Sequence, residues 1–127
     1  AEELLQPSDF KQRIDRLKER VEGLGGIFDL GQKRSRLSEL EHIIATPDFW
    51  NDQDRARDIQ REKASVTSQI EKIETLFRSL TDSETYLELF REENDQALLV
   101  ECRELLNTIE NDLRKFELTR MLSGPHD

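Results

Sequence analysis

The sequence predicts an all-α fold, an elongated antiparallel helical hairpin or coiled-coil bundle with short additional helices packed at one end. Aliphatic residues recur at steps of three and four, which is the spacing of a helix with one apolar stripe. Only 5 Gly and 3 Pro interrupt the 127 residues, and 37% of them are charged. This composition is typical of long helices. The length suits one domain, so we expect residues 1–127 to form a single helical domain.

The first two helices are predicted from about Asp9 to Leu24 and from about Asp29 to Ala45. The first has a stripe that steps by four and three: Phe10, Ile14, Leu17, Val21 and Leu24. We expect Gly25-Gly26 to end it, because glycine adopts the left-handed geometry common just past a helix. The second has its own stripe: Leu30, Leu37, Leu40 and Ile44. Pro47 should stop it.

The third helix is predicted from about Asp52 to Leu80, with Asn51 as its N-cap. Its apolar residues form a heptad stripe: Ile59, Val66, Ile70, Ile73, Phe77 and Leu80. The segment Thr81-Asp-Ser-Glu84 has the pattern of a capping box. We therefore expect a short fourth helix from about Asp82 to Glu93.

The fifth helix is predicted from about Asp95 to Leu122, before Ser123-Gly124-Pro125. Its stripe has six members: Leu98, Cys102, Leu105, Ile109, Leu113 and Phe116. The third and fifth helices would each be roughly 40 Å long and carry one narrow seam. A helix with one seam needs a partner, so we expect these two to pair antiparallel through the segment 81–94.

No group of residues in the sequence has the pattern of a catalytic, cofactor or metal site. The two histidines, His42 and His126, are far apart, and Cys102 is the only cysteine. Gly25-Gly26 is followed by Ile27 and lacks the pattern of a phosphate-binding loop. Cys102 lies on an apolar stripe, where we expect a small buried core residue. We therefore predict no catalytic residue, no cofactor and no metal.

The net charge disfavours nucleic-acid binding, and the cysteine content fits a cytoplasmic protein. The net charge of -9 disfavours binding to a phosphate backbone, which requires clustered lysine and arginine. A single cysteine fits a reducing compartment. There is no apolar run of the roughly 20 residues that cross a bilayer, and no signal peptide is visible.

Two charged features are candidates for binding. The segment from Asp82 to Asp112 has ten acidic and two basic residues and so holds most of the net charge. It is either a solvated surface or a docking face for a basic protein, with Glu101, Glu104 and Glu110 as candidate contacts. Arg13, Arg16 and Arg20 lie on neighbouring turns of the first helix and are candidates for contact with phosphates.

The segment Pro47–Asn51 is predicted to be a structural corner between the second and third helices. Pro47 breaks the chain direction, and Phe49 and Trp50 precede the expected cap Asn51. Apolar residues just before an N-cap often pack back on the helix that follows. We expect Trp50 to fill this corner beneath the first two helices; the alternative is an exposed aromatic anchor for a partner.

Three segments carry a resemblance to a known family. They are GGIFDL (Gly25–Leu30), PDFWND (Pro47–Asp52) and FELTRMLSGPHD (Phe116–Asp127). In this order and spacing they resemble the bacterial peptide chain release factor 2 family, whose members are class I release factors. Thr119 stands where that family often has arginine.

The resemblance implies that the chain is the N-terminal helical domain of a release factor. In that family, the stop-codon-reading tripeptide and the Gly-Gly-Gln motif of peptide release belong to later domains. No catalytic residue is therefore carried over to this sequence. The resemblance also implies a location near the stalk base of the large ribosomal subunit and near the class II release-factor GTPase. We expect the acidic segment to suit a basic ribosomal protein there.

Two other functions stay open from the sequence. One is a tRNA-binding helical arm of an aminoacyl-tRNA synthetase, which would need a basic stripe along its long helices. Here basic residues cluster only near the start of the third helix, at Arg55, Arg57, Arg61 and Lys63. The other is a free-standing coiled-coil scaffold.

Overall fold

The structure is a computed structural model that describes the backbone of residues 5–123 and the side chains of residues 5–24 and 29–119. Its α-helices are α1 (Pro7–Phe28), α2 (Leu30–Ile44), α3 (Gln53–Glu93) and α4 (Gln96–Ser123), with a short 3₁₀ helix at Phe49–Asn51. Residues 5–123 contain no β-strand. The predicted all-α fold class is therefore confirmed.

The chain divides into two compact units. The first unit comprises Ala1–Leu24 and Thr75–Asp127, and the second unit comprises Gly25–Glu74. Both α1 and α3 contribute residues to each unit, and α4 belongs entirely to the first.

The first unit is built from α1, the C-terminal part of α3, and α4. All five residues of the predicted α1 stripe are buried, with exposed fractions of 6% or less. Arg13 and Arg20 of α1 bond to Glu110 and Glu117 of α4, so these two helices run in the same direction. Lys18 of α1 pairs with α3. The first helix is therefore a full member of this bundle, together with α4 and the C-terminal part of α3.

The α4 seam differs from its predicted stripe by single-residue shifts. Its buried residues are Leu99, Cys102, Leu106, Ile109 and Leu113. The predicted members Leu98 and Leu105 are only half-buried. Each belongs to a pair of adjacent leucines, and both members of such a pair fit a spacing of three or four. Periodicity alone therefore cannot choose between them.

The helix α3 is continuous through residues 81–84, so the predicted capping box and separate fourth helix are wrong. The Thr81 hydroxyl donates to the carbonyl of Phe77 at 3.2 Å, and the Ser83 hydroxyl donates to that of Ser79 at 3.0 Å. These bonds to the preceding turn let both residues sit inside a helix. Ser83 is fully buried and continues the α3 seam between Leu80 and Leu87.

The second unit contains α2, the 3₁₀ helix and the N-terminal part of α3. Its buried side chains are Leu40, Phe49, Ala56, Ile70 and Ile73. Two predicted members of the α3 stripe, Ile59 and Val66, are half-buried.

The connection between α1 and α2 differs from its prediction. Helix α1 continues through Gly25-Gly26 to Phe28, and the left-handed residue is Asp29, with φ 48°. Glycine lowers the stability of a helix by only about 1 kcal/mol relative to alanine, so two glycines do not force an end. The Asp29 carboxylate then caps α2 by accepting from the backbone N–H of Gln32 at 3.1 Å.

Candidate protein-interaction surfaces

Arg13 of α1 is bound to α4 through two side chains. One guanidinium nitrogen, Nη2, donates to Asn107 Oδ1 at 2.7 Å and to Glu110 Oε2 at 2.8 Å. Arg13 is half-buried. The positive charge of Arg13 is thus paired with a carboxylate inside the first unit.

Arg20 forms a two-bond fork with Glu117, one heptad further along both helices. Nη2 donates to Glu117 Oε1 at 2.6 Å and Nε donates to Oε2 at 3.3 Å. This hydrogen bonding raises the pKa of Arg20, and the negative charges of Glu117 and Glu110 act in the same direction. Of the three α1 arginines that were candidates for contact with phosphates, only Arg16 is left exposed. The α1 arginines therefore mainly hold α1 against α4.

Glu110 is an internal ion-pair partner rather than an open contact residue. The hydrogen bond from Arg13 lowers its pKa, and the positive charges of Arg13, Arg114 and Arg20 add to the effect. Its side chain is 34% exposed. The sequence contained a signal for this arrangement, since Arg13 and Arg20 are seven residues apart, as are Glu110 and Glu117.

Glu101 and Glu104 lie on the exposed side of α4. They belong to a set of exposed carboxylates on α3 and α4 that form no ion pair within 4.0 Å in the described part of the chain. We call this set the acidic surface: Asp82, Glu88, Glu92, Glu93, Glu101, Glu104 and Asp112. Two bases, Arg91 and Arg103, are interspersed and exposed. Two of the three predicted contact glutamates are thus available for a partner.

A cleft of about 180 Å³ lies between α1 and α3 of the first unit, and Glu88 of the acidic surface is part of its lining. Lys11 and Arg91 line it together with Asp15 and two glutamates of α3. Bases and acids are mixed around this opening, so its charge gives little preference for a small anion or cation.

In the second unit, a similar arginine fork joins α2 to α3. Arg36 donates to Glu62 at 2.7 and 2.8 Å, and also to Glu39 of its own helix at 3.0 Å. The bond from Arg36 lowers the pKa of Glu62, and the bonds to Glu62 and Glu39 raise the pKa of Arg36. Arg34 adds a longer contact to Glu74 at 3.4 Å.

In the predicted corner at Pro47–Asn51, one of the two aromatic side chains is buried and the other is exposed. Phe49 is 1% exposed, whereas Trp50 is 58% exposed. Their rings meet edge to face, with centroids 4.8 Å apart and an interplanar angle of 83°. The prediction that Trp50 fills the corner is therefore wrong, and Phe49 has the buried position. Consecutive residues of a 3₁₀ helix point about 120° apart, so only one of the two faces the core.

Asn51 is the last residue of the 3₁₀ helix and does not cap α3. Its backbone N–H donates to the carbonyl of Asp48 at 3.1 Å. The cap of α3 is Asp52, whose Oδ1 accepts from the backbone N–H of Arg55 at 3.1 Å. Pro47 is exposed in the turn before Phe49.

Cys102 is a core residue, as its place on the stripe predicted. It is fully buried, and its thiol donates to the carbonyl of Ser83 at 3.5 Å. Burial raises its pKa to about 11 despite an opposing effect of Arg13, so the group stays a thiol at neutral pH.

Among the described residues, no group of three or more acidic, histidine or cysteine side chains could hold a metal ion. In the same part of the chain, no helix combines the length and apolar character that membrane crossing requires.

Comparison with known proteins gives one family. The model of the PCRF domain matches residues 33–127. Peptide chain release factor 2 of Aliivibrio fischeri is 37% identical over 117 residues, and that of Staphylococcus saprophyticus is 32% identical over 120 residues. These alignments cover 92% and 94% of the chain, but only 32% of each relative.

The chain thus spans about a third of the length of the curated relatives that it matches. The family model covers most of the chain, and the relatives align with nearly all of it. The chain therefore belongs to the PCRF domain family and is a relative of bacterial peptide chain release factor 2.

Proposed function

We propose that this chain is the N-terminal interaction domain of a cytoplasmic translation termination factor. The whole factor would direct stop-codon-dependent release of the finished peptide on the ribosome. This domain would make a protein contact at the stalk base of the large subunit, close to the class II release-factor GTPase. It would contribute no catalytic residue and no sequence-specific contact with nucleic acid.

The observation that carries the proposal is the similarity to release factor 2 over 92% or more of the chain. Family membership gives no support to the synthetase-arm alternative. The pairing of Arg13 and Arg20 with α4 also removes two candidate phosphate contacts from it.

The charge distribution supports a basic protein as the partner. The segment 82–112 holds eight of the nine net negative charges, and the acidic surface within it is unpaired in the described part of the chain. Exposed single-sign charge raises the association rate with a partner of opposite charge and makes that rate sensitive to salt.

The test is ribosome binding by a full-length factor that carries this domain. Reversing Glu101 and Glu104 to lysine should weaken binding and reduce its dependence on salt, because both carboxylates face outward. Glu110 is left unchanged, since its reversal would break the bond to Arg13. Glu41→Lys with Glu71→Lys is the matched control, because it makes the same change in net charge at exposed positions of the second unit.

Equal binding by the two double variants at every salt concentration would contradict a docking role for the acidic surface. A separate assay addresses catalysis: the chain alone should support no release of peptide from a termination complex. Release by the chain alone would contradict a purely interacting role.

A further inference from the structure

We propose that Trp50, with Asp48 and Asp52 on either side of it, is a docking site for an arginine-bearing segment of a partner protein. This site lies in the second unit and shares no residue with the acidic surface of the first unit. The inference therefore does not depend on the proposed function.

Trp50 is an exposed aromatic side chain in a hydrogen-bonded turn. It is 58% exposed, and its neighbour Phe49, against which its ring packs edge to face, is buried. The turn is closed by the backbone N–H groups of Phe49 and Asn51, which donate to Thr46 and Asp48. A preorganised tryptophan loses little conformational entropy on binding, and tryptophan is enriched among residues that dominate binding energy.

The charges beside the indole select the class of partner. The stretch from Thr46 to Asp54 contains three aspartates and no basic residue. Asp48 and Asp52 are exposed, and Asp52 uses one oxygen for the helix cap. An apolar segment that covered the indole would desolvate these carboxylates without compensation, and a phosphate backbone would be repelled. A cationic side chain would neutralise them.

Two basic residues follow the turn and limit how far the site extends along α3. Arg57 lies 3.4 Å from Asp54, so that its charge is locally balanced. Arg55 is exposed and marks the boundary of the site. The binding region is therefore the turn itself, residues 47–52.

Among cationic side chains, arginine fits this combination better than lysine. Its planar guanidinium stacks on an indole face and still presents N–H groups to neighbouring carboxylates. The lysine ammonium is more strongly hydrated and offers no plane for stacking. A modest preference for arginine over lysine is thus expected.

The chain contains one tryptophan, so its fluorescence and its indole N–H resonance report on this site alone. The test titrates the full chain with a short peptide that has three arginines separated by glycines. Peptides with lysine or glutamate in the same positions serve as comparisons. We expect a saturable Trp50 response with the arginine peptide, a weaker one with the lysine peptide and none with the glutamate peptide.

Matched variants assign the response to the site. Asp48→Asn with Asp52→Asn removes two charges and keeps the helix cap, because asparagine caps as well as aspartate. This double variant should bind the arginine peptide about tenfold more weakly, in line with the loss of two close charge contacts. Glu19→Gln with Glu22→Gln removes two exposed charges from α1 in the first unit, outside both candidate surfaces, and should leave the affinity unchanged.

Five outcomes would overturn the proposal. These are no saturable response to the arginine peptide, equal responses to the arginine and glutamate peptides, and equal weakening by the two double variants. The fourth is a tighter response to single-stranded RNA than to the arginine peptide. A concentration-dependent Trp50 shift without peptide would likewise overturn it, because the occupant would then be a second copy of the chain. Circular dichroism of each variant confirms that the helices are retained.

Discussion

The helices α1 and α2 are held in their units by different means. In the first unit, α1 buries five apolar side chains in one stripe and adds arginine bonds beside it. In the second unit, Leu40 is the buried residue of α2, and the arginine fork to Glu62 is its main polar tie to α3. Apolar burial therefore dominates the attachment of α1, whereas α2 relies more on exposed charge pairs that salt can screen.

The largest expected effect is the truncation of the α1 stripe. Leu17 is 2% exposed, so Leu17→Ala should lower the free energy of unfolding by about 2–5 kcal/mol through lost burial and a cavity. Urea denaturation followed by circular dichroism measures this change. Leu118→Ala is the control, since Leu118 is 50% exposed and should shift the stability by less than about 0.5 kcal/mol. Similar effects of the two variants would mean that burial of the apolar stripe does not hold α1 in the first unit.

A smaller effect, of a different kind, is expected at the α2 fork. Arg36→Ala removes the bonds to Glu62 and Glu39 and should lower the urea midpoint less than Leu17→Ala does. The loss should shrink at high salt, because the wild-type fork is then already screened. Arg57→Ala is the control, since its ion pair lies within α3 and is mostly exposed. An Arg36→Ala effect that is independent of salt would contradict the comparison.

The pH dependence of stability should report the contribution of the ion pairs in both units. The pKa values of Glu110 and Glu62 are lowered in the folded chain, so their carboxylates stabilise it above the unfolded value of about 4.3. This stabilisation is lost as the pH falls through the lowered folded values.

Glu110→Gln tests this dependence in the first unit. It should lower stability at neutral pH and flatten the loss below about pH 5. Thermal unfolding measured between neutral and acidic pH gives the profile. Glu101→Gln should leave the shape of the profile unchanged, because Glu101 has no ion pair in the described part of the chain. The same shape for both variants would argue against the Arg13 bond as the cause.

The smallest effect is expected at Thr81, within α3. In a capping box, Thr81→Ala would cost about 1 kcal/mol. In the continuous helix, alanine replaces a residue of lower helix propensity, and the expected change is close to zero. Urea denaturation distinguishes the two cases, with Ser83→Ala as a comparison at a buried position of the same stretch. A clear destabilisation by Thr81→Ala would support a helix start at this point.

The sequence predicted elements best where one stripe was unambiguous. The α1 stripe was correct at all five positions, because no adjacent apolar residue competed with its members. In α4, the pairs Leu98-Leu99 and Leu105-Leu106 left the register open by one residue. In α3, the seam passes through the buried Ser83, and a pattern of apolar residues does not include serine. The Thr81–Glu84 pattern then suggested a helix start that hydrogen bonds within α3 override.

The candidate sites were predictable to a lesser degree. The acidic segment was evident from composition, but its division into open and paired carboxylates depends on which α1 residues face α4. At the corner, the pattern indicated a buried aromatic residue and did not distinguish Phe49 from Trp50. That choice depends on the 3₁₀ geometry of the turn, which the sequence pattern did not reveal.

The heptad spacing shared by Arg13–Arg20 and Glu110–Glu117 also bears on the alignment of α1 with α4. Sliding α1 by seven residues in one direction would bring Arg20 to Glu110 and leave Arg13 opposite another arginine, Arg103. Sliding it the other way would bring Arg13 to Glu117 and take Arg20 away from both carboxylates. Only one alignment gives each arginine a carboxylate. The repetitive apolar stripe would tolerate several alignments, and the four charges select one of them.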